Sequence, residues 1–180
     1  AQSKDKTNAA LKELSGLLNL KKLPYYIEAY DISNTMGSEN VAGMVVFQNG
    51  VPLKSSYKRF KIKGVIGQDD YASMREVIER RFTEYRAAKD QKTGFGKLPD
   101  LILLDGGKTH VAAVKPILND FELDIPVFGM VKDSKHRTRA ITTSGQEINV
   151  GVNSAAFSLI TKIQDEVHRF AIGYQRKLRG

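Results

Sequence analysis

The spacing of apolar residues divides the chain into an ordered series of helices and strands. A short amphipathic helix with leucines at helical spacing comes first, and Pro24 ends its pattern. Three strands follow, over residues 25–33, 41–50 and 51–63. The pair Asn49-Gly50 predicts a hairpin between the second strand and the third, because both residues tolerate the backbone angles of a tight turn. This opening predicts a three-stranded antiparallel meander.

The second part of the chain alternates between helical and strand patterns. Residues 69–88 predict a helix whose buried stripe contains Met74, Val77, Ile78 and Phe82. Two short apolar strands, around 101–105 and 125–132, enclose a helix, as in a buried parallel sheet. A hairpin turning at Ser144-Gly145 and a closing helix follow, the helix over 153–179 with a core face of Phe157, Ile160, Ile163, Val167, Phe170 and Ala171. This order predicts a ribonuclease H-like α/β fold, a mixed central sheet flanked by helices.

The length and composition indicate one folded domain. We expect a linker and amphipathic helix over residues 1–24 and a single domain over 25–180. A polar start without Met suggests a fragment of a longer protein. No apolar run approaches the roughly 18 residues of a membrane helix, and no signal-peptide core is present. We therefore expect no membrane association, and the absence of cysteine fits a reducing cytoplasm and excludes thiolate metal sites.

The charge favours a polyanionic partner. The chain has 28 Lys and Arg against 20 Asp and Glu, a net charge of +8. Neutralising phosphates releases counterions, so a basic excess promotes binding to nucleic acid. Three basic segments are candidates for a nucleic-acid track: Lys58–Lys63, Lys132–Arg139 and Arg176–Arg179. An ordinary basic domain with solvated charged faces is the alternative.

Two aspartates end predicted strands at the centre of the sheet. Asp31 ends the first strand and Asp105 follows the apolar sequence LILL. A carboxylate at the end of a buried strand loses hydration, and a divalent cation compensates for that loss. The alternative is local structure, in which Asp105 caps the next helix and Asp31 bonds to Ser33 or Asn34.

Other polar residues are weaker candidates. His168 borders the apolar stripe of the closing helix and could be a metal ligand, a general base or a hydrogen-bonded boundary residue. His110, on a helix surface, and His136, in a loop, are structural or near the substrate. Lys108, Lys132 and Arg169 are secondary candidates, the two lysines as phosphate contacts. The sequence GGK lacks the spacing of a nucleotide-binding P-loop, which disfavours nucleotide hydrolysis.

Several segments together resemble the C-terminal endonuclease domain of UvrC proteins, the incision subunits of bacterial nucleotide excision repair. They are IEAYDISNTMG, GQDDYASMREVIERRF, PDLILLDGGKTH, IPVFGMVKDSKHRTRA and IQDEVHRFAIGYQRKLR, between about Tyr26 and Arg179. The resemblance implies a ribonuclease H-like nuclease with a catalytic set of Asp31, Asp105 and His168. It also implies Mg²⁺ or Mn²⁺ and hydrolysis of a DNA phosphodiester 5′ to a lesion. The family's DDY motif makes Asp70 a secondary candidate.

The resemblance also implies partners, and this chain differs from the full-length family in several respects. The full-length family binds damaged duplex DNA and works with a UvrB protein. This chain shows no second nuclease domain before the match and no helix-hairpin-helix pair after it, so we expect weak DNA binding and a monomer. The loop over 87–97 has the character of an insertion. A catalytically silent nucleic-acid-binding module and a small-molecule phosphoryl-transfer enzyme are the alternatives.

Overall fold

The computed structural model describes residues 2–34, 40–88, 90–133, 135, 138–151 and 154–179. These residues form four helices: α1 (Gln2–Leu17), α2 (Asp70–Ala88), α3 (Lys108–Asp120) and α4 (Ala155–Arg179). They also form eight strands: β1 (Tyr26–Ser33), β2 (Val41–Gln48), β3 (Val51–Pro52), β4 (Lys58–Lys61), β5 (Leu101–Asp105), β6 (Val127–Lys132), β7 (Thr138–Thr142) and β8 (Glu147–Asn149). Within the part of the chain that the structure describes, each helix is too short or too polar to span a lipid bilayer.

All eight strands belong to one mixed sheet. Its order is β3-β2-β1-β5-β6-β7-β8, and β4 also pairs with β2. The central pairs β1–β5 and β5–β6 are parallel, whereas the outer pairs are antiparallel. The predicted α/β fold with an antiparallel opening and parallel α/β units is therefore confirmed.

Turn chemistry explains where the first hairpin forms. Asn49 and Gly50 both have positive φ, 54° and 81°, as a two-residue hairpin turn requires. The single third strand predicted over 51–63 is wrong. Pro52 cannot donate to a ladder, and a 3₁₀ turn over Lys54–Ser56 separates β3 from β4. The polar sequence NTMGSEN, residues 34–40, predicts a turn, and it lies largely outside the described residues.

Helices cover both faces of the sheet, because strand side chains alternate between them. Ile27 and Ala29 of β1 join the core formed with α1 and α4. Tyr26 and Tyr30 join the core formed with α2 and α3. The predicted stripe of α2 is buried, and so are all the predicted core residues of α4 except Phe157, which is partly buried.

The N-terminal helix packs on this body. Leu11, Leu14 and Leu18 are buried in the same core as α4. The division at residue 24 between a leading segment and the domain stays a prediction. The loop over 87–97, which sequence marks as an insertion, contains a 3₁₀ turn at Gly94–Gly96.

Candidate metal centre

Strand register brings Asp31 and Asp105 together. Tyr30 of β1 is in register with Leu104 of β5, so the aspartates that follow occupy adjacent positions on parallel neighbours. Both aspartates lie on the face covered by α4, since side chains two residues earlier, Ala29 and Leu103, belong to that core. Two carboxylates therefore meet at the carboxyl edge of the sheet centre.

Helix α4 adds an imidazole to this edge. His168 Nδ1 lies 3.1 Å from Asp31 Oδ2, and the histidine side chain is half exposed. One ligand atom each of Asp31, Asp105 and His168 lie within 4.8 Å of one another. These atoms are close enough to share one metal ion. Among the described residues, no other group of three or more His, Asp or Glu side chains meets that condition. The structure thus brings together the three residues that sequence singled out.

Burial sets the electrostatics of the pair. Asp31 is only 6% exposed, and burial raises the pKa of its carboxyl to about 6. The hydrogen bond with His168 opposes this rise, whereas the Asp105 carboxylate adds to it. The same hydrogen bond raises the pKa of His168, against the effect of burial.

The chain supplies only part of the positive charge that two carboxylates need. Lys132 Nζ lies 3.3 Å from Asp105 Oδ2, and His168 adds a positive charge only when its imidazole is protonated. Oxygen ligands with one imidazole are the donor set of Mg²⁺ or Mn²⁺. The raised pKa of Asp31 and the clustering of donors therefore fit a divalent cation.

A buried glutamine orients Asp105, and sequence analysis missed it. Gln164 Nε2 donates to Asp105 Oδ1 at 3.0 Å and to the Met130 carbonyl at 3.2 Å. Its Oε1 accepts a hydrogen bond from the Thr138 hydroxyl. The available signal was its position four residues before His168, which places both on one face of α4.

The local structural alternative for Asp105 is wrong. Gly107 is the N-cap of α3, and its cap position has no side-chain hydrogen bond. The oxygens of Asp105 instead accept from Gln164 and Lys132.

Of the secondary candidates, one lies within the site and the other three lie elsewhere on the structure. Lys132 lies in the site, and Asp70, the first residue of α2, accepts a hydrogen bond from Asn34 Nδ2 at 2.9 Å. Lys108 is exposed at the start of α3. Arg169 forms an ion pair with Glu166, at 2.8 and 2.9 Å.

The other two histidines have different outcomes. His110 is half-buried against the Tyr71 ring, with 4.6 Å between ring centroids, and burial lowers its pKa. Its predicted place on a helix is confirmed, since it lies in α3 and is partly exposed, and the Tyr71 ring at the start of α2 packs against it. His136 lies outside the described residues.

A basic and aromatic surface adjoins His168. We call it the α4–β4 surface, and it consists of Lys54, Tyr57, Lys58, Arg59, Arg169 and Phe170. The guanidinium of Arg59 lies 4.2 Å from the Phe170 ring centroid, and the Tyr57 ring packs edge-on against Phe170 at 5.0 Å. Part of the Lys132–Arg139 segment and the side chains of Arg176–Arg179 lie outside the described residues.

Comparisons with known proteins agree on one family. The model of the UvrC RNase H endonuclease domain matches residues 15–172. UvrABC system protein C of Clostridium kluyveri is 49% identical over 99% of this chain, and that of Acetivibrio thermocellus is 48% identical over 94%. The chain spans only 30% and 29% of the length of these relatives.

A solved structure agrees on the fold. The Ciona intestinalis endonuclease V, solved in complex with a 24mer DNA containing an inosine, superposes with a TM-score of 0.51 at 13% identity. The match covers 93% of this chain and 96% of that one. This likeness shows the ribonuclease H-like fold, and the family match and the sequence identities show descent. The chain belongs to the family of the UvrC RNase H endonuclease domain.

Proposed function

We propose that this chain is a divalent-metal-dependent DNA endonuclease domain that hydrolyses a phosphodiester bond 5′ to a lesion during nucleotide excision repair. The observation that carries the proposal is the approach of Asp31, Asp105 and His168, with ligand atoms within 4.8 Å. The nuclease family to which the chain belongs supports the same conclusion.

Asp31 and Asp105 would hold the cation, which is Mg²⁺ or Mn²⁺. When bound, the ion supplies a Lewis acid for the scissile phosphate and for the attacking water. One imidazole among carboxylate oxygens favours Mn²⁺ over Mg²⁺ in affinity. Gln164 holds the Asp105 carboxylate in a fixed orientation through its bond to Oδ1.

His168 is suited to move a proton. With Asp31 ionised, Nδ1 carries the hydrogen that is donated to Asp31 Oδ2, and Nε2 keeps a lone pair. Nε2 can then accept a proton from water as it attacks the phosphate, or ligate the cation. The partly exposed position of the side chain allows either contact with substrate.

Basic side chains would hold the substrate. Lys132 already lies beside Asp105, and Lys108 begins α3 just after Gly107, so both are suited to contact phosphate oxygens near the cation. The α4–β4 surface provides a track for the DNA backbone, with Arg59 and Phe170 packed together. We assign Arg169 to this track and Asp70 a secondary role at the same edge of the sheet.

The larger biological setting is also part of the proposal. The relatives are named as components of a UvrABC system, which supports a partnership with UvrB in the full-length protein. We further propose a cytoplasmic location and a monomeric isolated domain.

Single-turnover cleavage of a lesion-bearing DNA duplex with Mn²⁺ tests the proposal. Asp31→Asn and Asp105→Asn should each lower the rate by at least roughly 10³-fold, since each removes a charged ligand of the cation. Asp100→Asn is the matched control, because Asp100 precedes the same strand that Asp105 ends and bonds to Tyr26 N and Lys22 at the other edge of the sheet. It should cut at the wild-type rate.

The outcomes separate the candidate functions. A wild-type chain that binds DNA but does not cut with either metal would be the silent nucleic-acid-binding module. Near-wild-type cutting by Asp31→Asn would remove that residue from the active site.

A further inference from the structure

The connection between β4 and α2 exposes one apolar side chain completely. Ile66 is 100% exposed, whereas the preceding Val65 packs partly against the core. Single exposed apolar residues are common on protein surfaces. The meaning of Ile66 therefore depends on how the connection is held and where it lies.

Hydrogen bonds hold the connection on both sides of its tip. The carboxylate of Glu76 accepts from the backbone N–H groups of Lys63, at 2.8 Å, and Gly64, at 2.7 Å. On the other side, Asn40 Nδ2 donates to the Gly67 carbonyl at 2.9 Å. Ile66 is thus presented on a turn that is fixed before and after it.

Both ends of the connection lie at the metal-site edge of the sheet. Lys61 of β4 is in register with Val41, which is in register with Ser33 of β1. Two strand spacings of about 4.8 Å place the end of β4 about 10 Å from the end of β1. At its other end, Asp70 receives a hydrogen bond from Asn34, which directly follows β1.

The side chains around the tip favour contact with a phosphate backbone. Lys61 and Lys63 lie in the segment that leads to Ile66, and Arg80 Nη1 donates to the Lys61 carbonyl at 2.7 Å. The three acidic neighbours each accept local hydrogen bonds: Glu76 from backbone amides and Arg80, Asp69 from the N–H of Ala72, and Asp70 from Asn34. An apolar tip with basic flanks is typical of protein segments that insert between base pairs.

We propose that Ile66 is an apolar wedge that inserts into the base stack of DNA bound at the Asp31–Asp105 edge. This inference rests on the proposed function, since it assumes that DNA occupies that edge. Unstacking costs least at a damaged or mismatched step. The wedge would therefore favour distorted duplex and help to place it for cutting.

Fluorescence of 2-aminopurine, which rises when the base unstacks, tests the wedge. A set of duplexes carries the probe at successive steps around one central abasic site, and binding is measured at low salt in EDTA, so that cutting does not interfere. Wild type should increase the fluorescence at one or two steps. Ile66→Ala should lose most of that increase at saturating protein, and Ile66→Leu should keep it.

Val51→Ala is the matched control. Val51 is also exposed, at 56%, but it lies in the hairpin at the opposite edge of the sheet. This variant should give the wild-type fluorescence increase, and circular dichroism should show all three variants folded.

The two proposals fail in different ways. Binding without a fluorescence rise, or an equal rise with Ile66→Ala, would overturn the wedge and leave the nuclease proposal intact. A rise that depends on Ile66, in a wild-type chain that does not cut with Mn²⁺, would overturn the nuclease proposal and leave the wedge. Failure of wild type to bind DNA at low salt would overturn both.

Discussion

Strand β1 carries two buried carboxylates on opposite faces, and the chain treats them differently. Glu28, 1% exposed, faces α2, where the fully buried Arg81 binds it through Nη2 at 2.8 Å and Nε at 3.0 Å. Asp31, 6% exposed, faces α4 and meets His168 at 3.1 Å and a second carboxylate, Asp105.

The difference is whether the chain itself supplies enough positive charge to neutralise the buried carboxylates. Glu28 has a full cationic partner, and the remaining donors of Arg81 bind the carbonyls of Phe95 at 2.8 Å and Lys97 at 2.6 Å. That closed pair anchors the loop before β5 and is structural. Asp31 and Asp105 share one lysine and one imidazole, at an edge of the sheet that is open to substrate. An incomplete set of charges is where an external cation belongs.

On the side of Asp31 and Asp105, His168→Ala should have a large effect on cutting. Loss of a positioned acid–base group should slow cutting by roughly 10²–10⁴-fold. The side chain is half exposed, so its truncation should cost only about 1 kcal/mol of stability. Thermal unfolding and single-turnover cleavage on one sample measure both. A variant that melts much earlier but cuts normally when cold would make His168 structural.

Arg81→Met tests the closed side. It leaves Glu28 buried without a partner, which should cost about 3–5 kcal/mol of unfolding free energy. The double variant Glu28→Gln, Arg81→Met should recover part of that loss, because no buried charge remains. Denaturant unfolding gives both values. A loss below about 1 kcal/mol in Arg81→Met would contradict the structural role.

When no metal is present, Asp31→Asn should raise the free energy of unfolding above pH 6, whereas Arg81→Met should lower it. The pKa of Asp31 rises from 3.8 to about 6 on folding, so ionisation above pH 6 lowers stability by up to about 3 kcal/mol. The folded carboxyl keeps its proton to higher pH than the unfolded one, so this penalty grows between pH 4 and pH 6. Loss of the His168 interaction acts in the same direction, because the raised pKa of His168 adds stability to wild type at low pH.

Denaturant unfolding in EDTA at pH 4.5 and pH 8 measures this dependence. Asp31→Asn should be more stable than wild type at pH 8, and the advantage should shrink or reverse at pH 4.5. An equal difference at the two pH values would mean that the folded state does not raise the pKa of Asp31.

Gln164→Leu should have the smallest effect. Asp105 loses a hydrogen-bond donor that orients it, which should weaken Mn²⁺ binding roughly 10-fold. Thr161→Val is the matched control on the same helix, because the buried Thr161 hydroxyl has no hydrogen-bond partner among the described residues. It should bind Mn²⁺ as wild type does. Equal affinities for all three proteins would remove Gln164 from a positioning role.

Sequence patterns predicted the elements that depend on local periodicity. The stripe of α2, including Met74 and Phe82, and the buried strand β5 follow directly from apolar spacing. The single third strand failed because Pro52 and the turn that follows it interrupt pairing. Proline was visible in the sequence, but its effect depends on the neighbouring strand.

The sequence predicted the three candidate ligands, which the structure brings together, but not the residues that orient them. Asp31 and Asp105 stand out because each ends an apolar strand, and the family resemblance strengthened the case for His168, already a candidate from its place on the closing helix. The hydrogen bond between Gln164 and Asp105 joins residues 59 positions apart in the sequence, and the Glu28–Arg81 ion pair joins residues 53 positions apart. Only the parallel pairing of β1 with β5 and the packing of the helices bring these groups together.

Manganese binding tests the central claim most directly, and electron paramagnetic resonance measures it by the loss of the free Mn²⁺ signal during titration. We predict that wild type and Asp100→Asn each bind one tight ion near pH 8. Asp31→Asn and Asp105→Asn should bind it at least roughly 10-fold more weakly while remaining folded, since each loses a charged ligand. Equal Mn²⁺ affinity in all four proteins would contradict a metal site between Asp31 and Asp105.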